Sequence, residues 1–122
     1  MVVMLVIGIL LAIGVPTYKG ARTRAADGVA KAAVNQVLKS VSASRTTTGT
    51  LANATSEATE DSSLTYTTGA STGPRVASVD TVGPYSFIAV KSNSGTCFSG
   101  VVTPNSVSDV IAATNSDVCS AM

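Results

Sequence analysis

Cys97 and Cys119, the only two thiols in the sequence, are set about twenty residues apart near its C-terminal end. A disulfide between them is expected from the exported, Ser/Thr-rich character of the chain, with two buried free thiols as the alternative. Closing a loop of that size would stabilise a fold by roughly 3 kcal/mol on the chain-entropy model. The partners that nucleophilic or metal chemistry requires do not accompany them. The sequence has no His, which removes Cys–His and Ser–His pairs and the ordinary zinc ligand sets. No glycine-rich loop ends in a lysine to cradle phosphate. Asp109 and Asp117 lie between the cysteines. They offer oxygens to calcium in one reading and solvated loop charge in the other, which is favoured. Asn53-Ala54-Thr55 has the form of a glycosylation acceptor, a three-residue pattern that chance readily produces. Neither an enzyme nor a bound cofactor or metal is expected.

Charge excludes a further class. Eight basic and seven acidic residues leave a net charge of +1, too little to hold a nucleic-acid backbone by counterion release. Five aromatic residues, Tyr18, Tyr66, Tyr85, Phe87 and Phe98, are too few for a base-stacking platform. The 122 residues fit one small domain and an appendage.

The appendage is the N-terminal run MVVMLVIGILLAIGVPTY, 18 residues without a charged side chain. As a helix it would be about 27 Å long, close to the thickness of a bilayer's hydrocarbon core. No basic segment precedes it and no cleavage-like break follows it, so it reads as a retained stem rather than a secretory leader. Beyond Pro16 the apolar positions Ala21, Ala25, Ala26, Val29, Ala30, Ala33, Val34, Val37, Leu38 and Val41 recur at spacings of three and four. That spacing predicts an amphipathic helix over 19–45, continuous with the stem and ending between Ser42 and Thr48. The opposite face carries Lys19, Arg24, Asp27, Lys31, Asn35 and Lys39, with an ion pair expected between Asp27 and Lys31.

Residues 46–63 are small and polar and read as a surface loop that includes, at most, a short helix. The head, 64–122, has β-rich runs at 64–68, 75–82, 85–91 and 96–102 separated by Gly, Pro, Ser and Asn clusters. They predict an antiparallel meander, with Ser92-Asn93-Ser94-Gly95 as its clearest hairpin turn. Residues 106–113 are compatible with a short helix or an irregular return to Cys119. The fold expected is α+β, a long N-terminal helix lying across a small antiparallel sheet. Val29, Ala33, Val37 and Val41 should face that sheet and meet Phe87, Ile88 and Val90 or their alternates.

The N-terminal run closely resembles the start of type IV pilins, pseudopilins and related prepilin-peptidase substrates. The likeness rests on Gly8 followed by Ile9-Leu10-Leu11-Ala12-Ile13, then Gly14-Val15-Pro16 with Tyr18 just after. It covers about the first 45 residues, and the head matches only in style. The resemblance implies an N-methylated aromatic residue and a nearly invariant Glu in some six residues preceding Met1, so a truncated start is expected. It also implies a homopolymer whose stems pack in a filament core, with a prepilin peptidase and inner-membrane assembly machinery as partners. It implies further that the bilayer holds the stem before assembly and that the filament ends outside the cell.

Gly8, Gly14 and Pro16 each weaken a helix, by about 1 kcal/mol for glycine and about 3 kcal/mol for proline. Close helix packing or a kink is one role for them. The resemblance implies another: the segment from Gly8 to Pro16 loses regular helix in the filament. Lys19, Arg22 and Arg24 would by charge alone sit on the cytoplasmic side, whereas the cysteines and the family pattern place the head outside. Alongside a major filament subunit, a pseudopilin or competence pilin and a membrane-anchored monomeric binding domain are the competing functions.

Overall fold

In the computed structural model, which describes residues 1–113 and 119–121, one helix forms the spine of the molecule. This helix, α1, runs from Val2 to Thr48, about 70 Å at 1.5 Å per residue. It continues unbroken through Pro16. At its far end Gly49 takes a left-handed conformation (φ 75°), and its N–H bonds to the carbonyl of Arg45 at 2.8 Å. A side chain at Cβ disfavours that conformation, which is why glycine closes the helix.

The chain then forms α2 (Ala54–Glu60) within the segment expected as loop. The Asn53 side chain accepts the N–H of Ser56 at 2.9 Å and so satisfies one of the free donors at the start of α2. Five strands follow: β1 (Thr65–Thr67), β2 (Val76–Val82), β3 (Tyr85–Lys91), β4 (Cys97–Val102) and β5 (Ile111–Ala113). They form one sheet in the order β1-β2-β3-β4-β5. Together with α1 this is an α+β architecture.

The meander requires a correction. From β2 to β5 every pairing is antiparallel, but β1 runs parallel to β2, with Thr65 opposite Val76. The short connection at 68–75 returns the chain to the same end of the sheet, and Ser71 holds it there. Its backbone N–H donates to Cys119 O at 2.7 Å. Its hydroxyl donates to Val76 O at 2.5 Å and accepts the N–H of Lys91 at 2.9 Å. Buried Ser71 thus links Val76 to Lys91 just beyond the last β2–β3 pair, Ala77 with Val90, and ties the connection to that end of the sheet. The stretch 106–113 is neither helix nor wholly irregular: Val107 bridges Val102, and β5 pairs with β4.

The β2–β3 and β3–β4 turns each use glycine at positive φ. Gly83 (φ 60°) precedes Pro84 between β2 and β3, and Gly95 (φ 92°) follows Ser94 between β3 and β4. Turns with φ above zero match the right-handed twist of paired strands, and glycine occupies them without strain.

The core lies between α1 and one face of the sheet. Ala30, Ala33, Val34, Val37, Leu38 and Val41 of α1 are buried against Ala77, Val79, Ile88, Val90, Phe98 and Val102. Register explains the strand selection: Val79 stands opposite Ile88 and Ile88 opposite Gly100, while Ala77, Val90 and Phe98 form the next row. Phe87, one residue out of phase, belongs to the other face and is half-buried. At Gly100 a Cβ would lie 2.9 Å from a methyl of Leu38, so the missing side chain is the notch that Leu38 fills. The second face is covered by the C-terminal segment. The disulfide joins Cys97 to Cys119 with Cα atoms 5.5 Å apart, packing beside Ala89. The N–H of Ala121 donates to the Ser78 hydroxyl at 3.1 Å.

Val29 is a second correction. Expected to face the sheet, it is 53% exposed. The buried stripe is centred on Ala30, Val34, Val37 and Val41, and at 100° per residue Val29 lies about 110° from that centre.

Candidate functional site: the exposed stem and its junction with the head

The first half of α1 projects from the head, and among the described residues nothing packs against it. Residues 1–25 are all exposed. An 18-residue window of this helix has mean hydropathy 2.1 and none of it is buried. Leu10 is 65% exposed and Ile13 64%. An apolar surface this large is unstable in water and calls for lipid or protein around it. Gly8, Ile9, Leu10, Leu11, Ala12, Ile13, Gly14, Val15 and Pro16 are helical and uncovered throughout.

Pro16 has no N–H to give Ala12, so one helical bond is missing at that turn. Next to it the Thr17 hydroxyl turns back onto the carbonyls of Ile13 (3.2 Å) and Gly14 (2.9 Å). Gly14 carries no side chain, and Leu10, Leu11, Val15 and Tyr18 enclose a groove of about 330 Å³ around it.

Lys19, Arg22 and Arg24 follow, exposed, as a basic collar where the stem enters the head. Above the collar Asp27 fastens the β3–β4 turn to the helix. Its Oδ1 accepts the Ser92 hydroxyl at 2.8 Å and also the hydroxyl of Ser94. These bonds, from Ser94 first and then Ser92, hold its carboxyl below the usual carboxylate range, partial burial opposes them, and Lys31 adds a smaller favourable field. The surface ion pair expected of Asp27 and Lys31 gives way to this arrangement, and the Lys31 ammonium lies 5.4 Å from the centre of the Phe98 ring. No periodicity reveals the Asp27 contacts, because 65 and 67 positions separate the partners. The serines in a predicted turn were the only available signal.

On the opposite flank α2 carries a buried carboxylate, Glu57. The Ser40 hydroxyl donates to its Oε2, and Oε1 has no partner among the described residues. Burial pushes the pKa of this carboxyl up, the Ser40 bond opposes the rise, and the neighbouring charges of Glu60 and Asp61 add to it. Asp61 is shifted down instead, by Ser63 first and then by Gln36 and Tyr66. The Tyr66 phenol is pushed up by burial and by the same carboxylates. Nothing in the sequence marked Glu57 as internal, since its helix is too short for a periodic signal.

Of the residues expected to join helix and head, Ala33, Val37 and Val41 lie in the core and Val29 does not. Asn53 caps α2 and is exposed. Among the described residues no three His, Cys, Asp or Glu side chains converge on a metal-sized space. Asp109 is exposed, and Asp117 lies outside the described residues. No family model, curated protein or solved structure matches this chain.

Proposed function

We propose that this chain is a structural subunit that polymerises through its N-terminal helix into a type IV pilus-like surface filament. The observation carrying this reading is the division of α1: the sheet covers one face of its second half, while none of the described residues covers its apolar first half. A bilayer accepts such a helix because its backbone bonds are internal. Stems of further copies bury the same side chains and can replace lipid at little cost. The chain begins in the cytoplasmic membrane, meets a prepilin peptidase and an assembly motor there, and ends as an extracellular homopolymer without catalytic activity of its own. Within the filament, the segment from Gly8 to Pro16 gives up regular helix, because two glycines and a proline make it the weakest part of the stem.

The test is negative-stain microscopy of sheared cell-surface material, with mass spectrometry to identify the subunit. Long fibres of this chain are expected. Its retention in the membrane as isolated molecules would support an anchored monomer instead, and fibres confined to a short envelope-spanning form would support a pseudopilin. An unbroken helix across Gly8 to Pro16 in a filament reconstruction would remove the melting step.

A further inference from the structure

Two concavities at the junction of stem and head adjoin each other, and their chemistry differs in a particular order. The lower is the apolar groove around Gly14, also edged by Lys19 and Arg22. The upper is a cleft of about 350 Å³ lined by Lys19, Arg22, Thr23, Ala26, Asn93 and Ser94. Lys19 and Arg22 therefore border both. From the groove upward the surface passes from aliphatic, through the aromatic ring of Tyr18, to an ammonium, a guanidinium and the amide of Asn93. Asp27, the first carboxylate in the chain, is not among the residues lining the cleft; its Oδ1 is turned to the hydroxyls of Ser92 and Ser94, and its single charge is outweighed by those of Lys19 and Arg22.

We propose that this continuous surface is a binding site for an anionic phospholipid. An acyl chain lies in the notch left by Gly14, and the headgroup phosphodiester is held by Lys19, Arg22 and Asn93. The inference rests on the reading that the stem resides in a bilayer before assembly. The depth agrees with it: the uncharged run ends at Tyr18, aromatic rings favour the level of the headgroups, and Lys19 and Arg22 stand within one turn above. Arg offers a planar fork to phosphate oxygens and Lys a compact charge. The site has a role before polymerisation, orienting the collar at the membrane surface. It empties when neighbouring stems take over the groove.

The experiment uses the full chain in vesicles of phosphatidylcholine alone and in vesicles containing equal parts of phosphatidylcholine and phosphatidylglycerol. Flotation reads insertion, and native mass spectrometry after mild detergent extraction reads the lipid retained. Phosphatidylglycerol is expected on the wild-type chain in excess of its share. The K19Q/R22Q variant should lower that enrichment about twentyfold. The control K39Q/R75Q removes the same charge from exposed positions. Lys39 lies about 30 Å farther along the helix than Lys19, beyond screened range, and the control should leave enrichment unchanged. Gly14→Leu fills the groove and should lose retention while inserting normally. Equal losses in K19Q/R22Q and K39Q/R75Q, or full retention by Gly14→Leu, would overturn the site. So would binding of inorganic phosphate or glycerol phosphate as tight as that of the lipid, since a free anion needs no groove. Insertion without enrichment sinks the lipid site alone, whereas failure to insert into neutral vesicles sinks the membrane reading beneath it.

Discussion

The two halves of α1 have the same backbone and opposite surroundings. Around Val37, fully buried, the helix presents one apolar stripe to a sheet of matching width, and polar residues such as Asn35 and Lys39 face water. Around Leu10 the helix is apolar on every side and none of the described residues covers it. A stripe can be satisfied by one partner within the same molecule. An apolar cylinder needs an environment on all sides, which a head of this size cannot supply. The difference separates a half that makes the domain fold from a half whose partners lie outside it.

Substitutions with the same chemistry should therefore have opposite outcomes in the two halves. Val37→Asp places a charge in the core and should cost more than about 4 kcal/mol, enough to unfold the head. Leu11→Asp should leave head stability within about 0.5 kcal/mol while impairing membrane insertion by about 3 kcal/mol. Thermal unfolding in detergent and vesicle flotation separate the two effects. A large loss of head stability in Leu11→Asp would erase the distinction.

Reducing the Cys97–Cys119 disulfide should lower head stability by about 3 kcal/mol. Stem helicity, followed by circular dichroism in detergent, should stay constant below the head transition. Gly100→Ala crowds the Leu38 methyls and should cost about 1–2 kcal/mol, part of which Leu38→Val restores. Additive losses in the double variant would show that the notch is not shared by the two residues.

The smallest effect expected is a dependence on pH that belongs to the head. The Glu57 carboxyl is shifted up in the folded chain, so the folded state retains its proton more strongly than the unfolded state. Its contribution to stability is thus full below its ordinary value of 4.5 and is lost as pH rises through the folded value. Glu57→Gln should be more stable than wild type at neutral pH and indistinguishable at pH 3 to 4. Asp27 acts in the other direction: its folded value is lowered, so its contribution is present above 3.8 and is lost as pH falls through the folded value. Comparing Asp27→Asn with wild type in melts across that range isolates it. A Glu57→Gln variant less stable than wild type at neutral pH would show that the ionised carboxylate has a partner that outweighs its burial.

Periodicity in the sequence was sufficient for the long helix, because each apolar position is specified by neighbours three and four residues away. It was also sufficient for the location of β2, β3 and β4, where alternation and turn residues agree. It misplaced Val29, which fits the spacing but sits at the margin of the stripe, since spacing defines an arc and only the width of the facing sheet says where the arc ends. It missed the parallel β1 because strand direction depends on how Ser71 holds the connecting loop. The neck contact between Asp27 and the β3–β4 turn was illegible for the same kind of reason.

What the sequence determined by itself is local in origin: an uncharged stem, a helix whose hydrophobic period changes after Pro16 and that stops before Gly49, turn residues around Gly83 and Gly95, and a pair of cysteines. What only the tertiary structure decided is which surfaces meet: Leu38 with Gly100, Glu57 with Ser40, Ser71 with Lys91, and the groove at Gly14 with the cleft above it. Local features follow from steric and solvation preferences over a few residues, and the chain carries them wherever it goes. Contacts between distant residues depend on the relative placement of whole elements, and that placement emerges only when the elements pack.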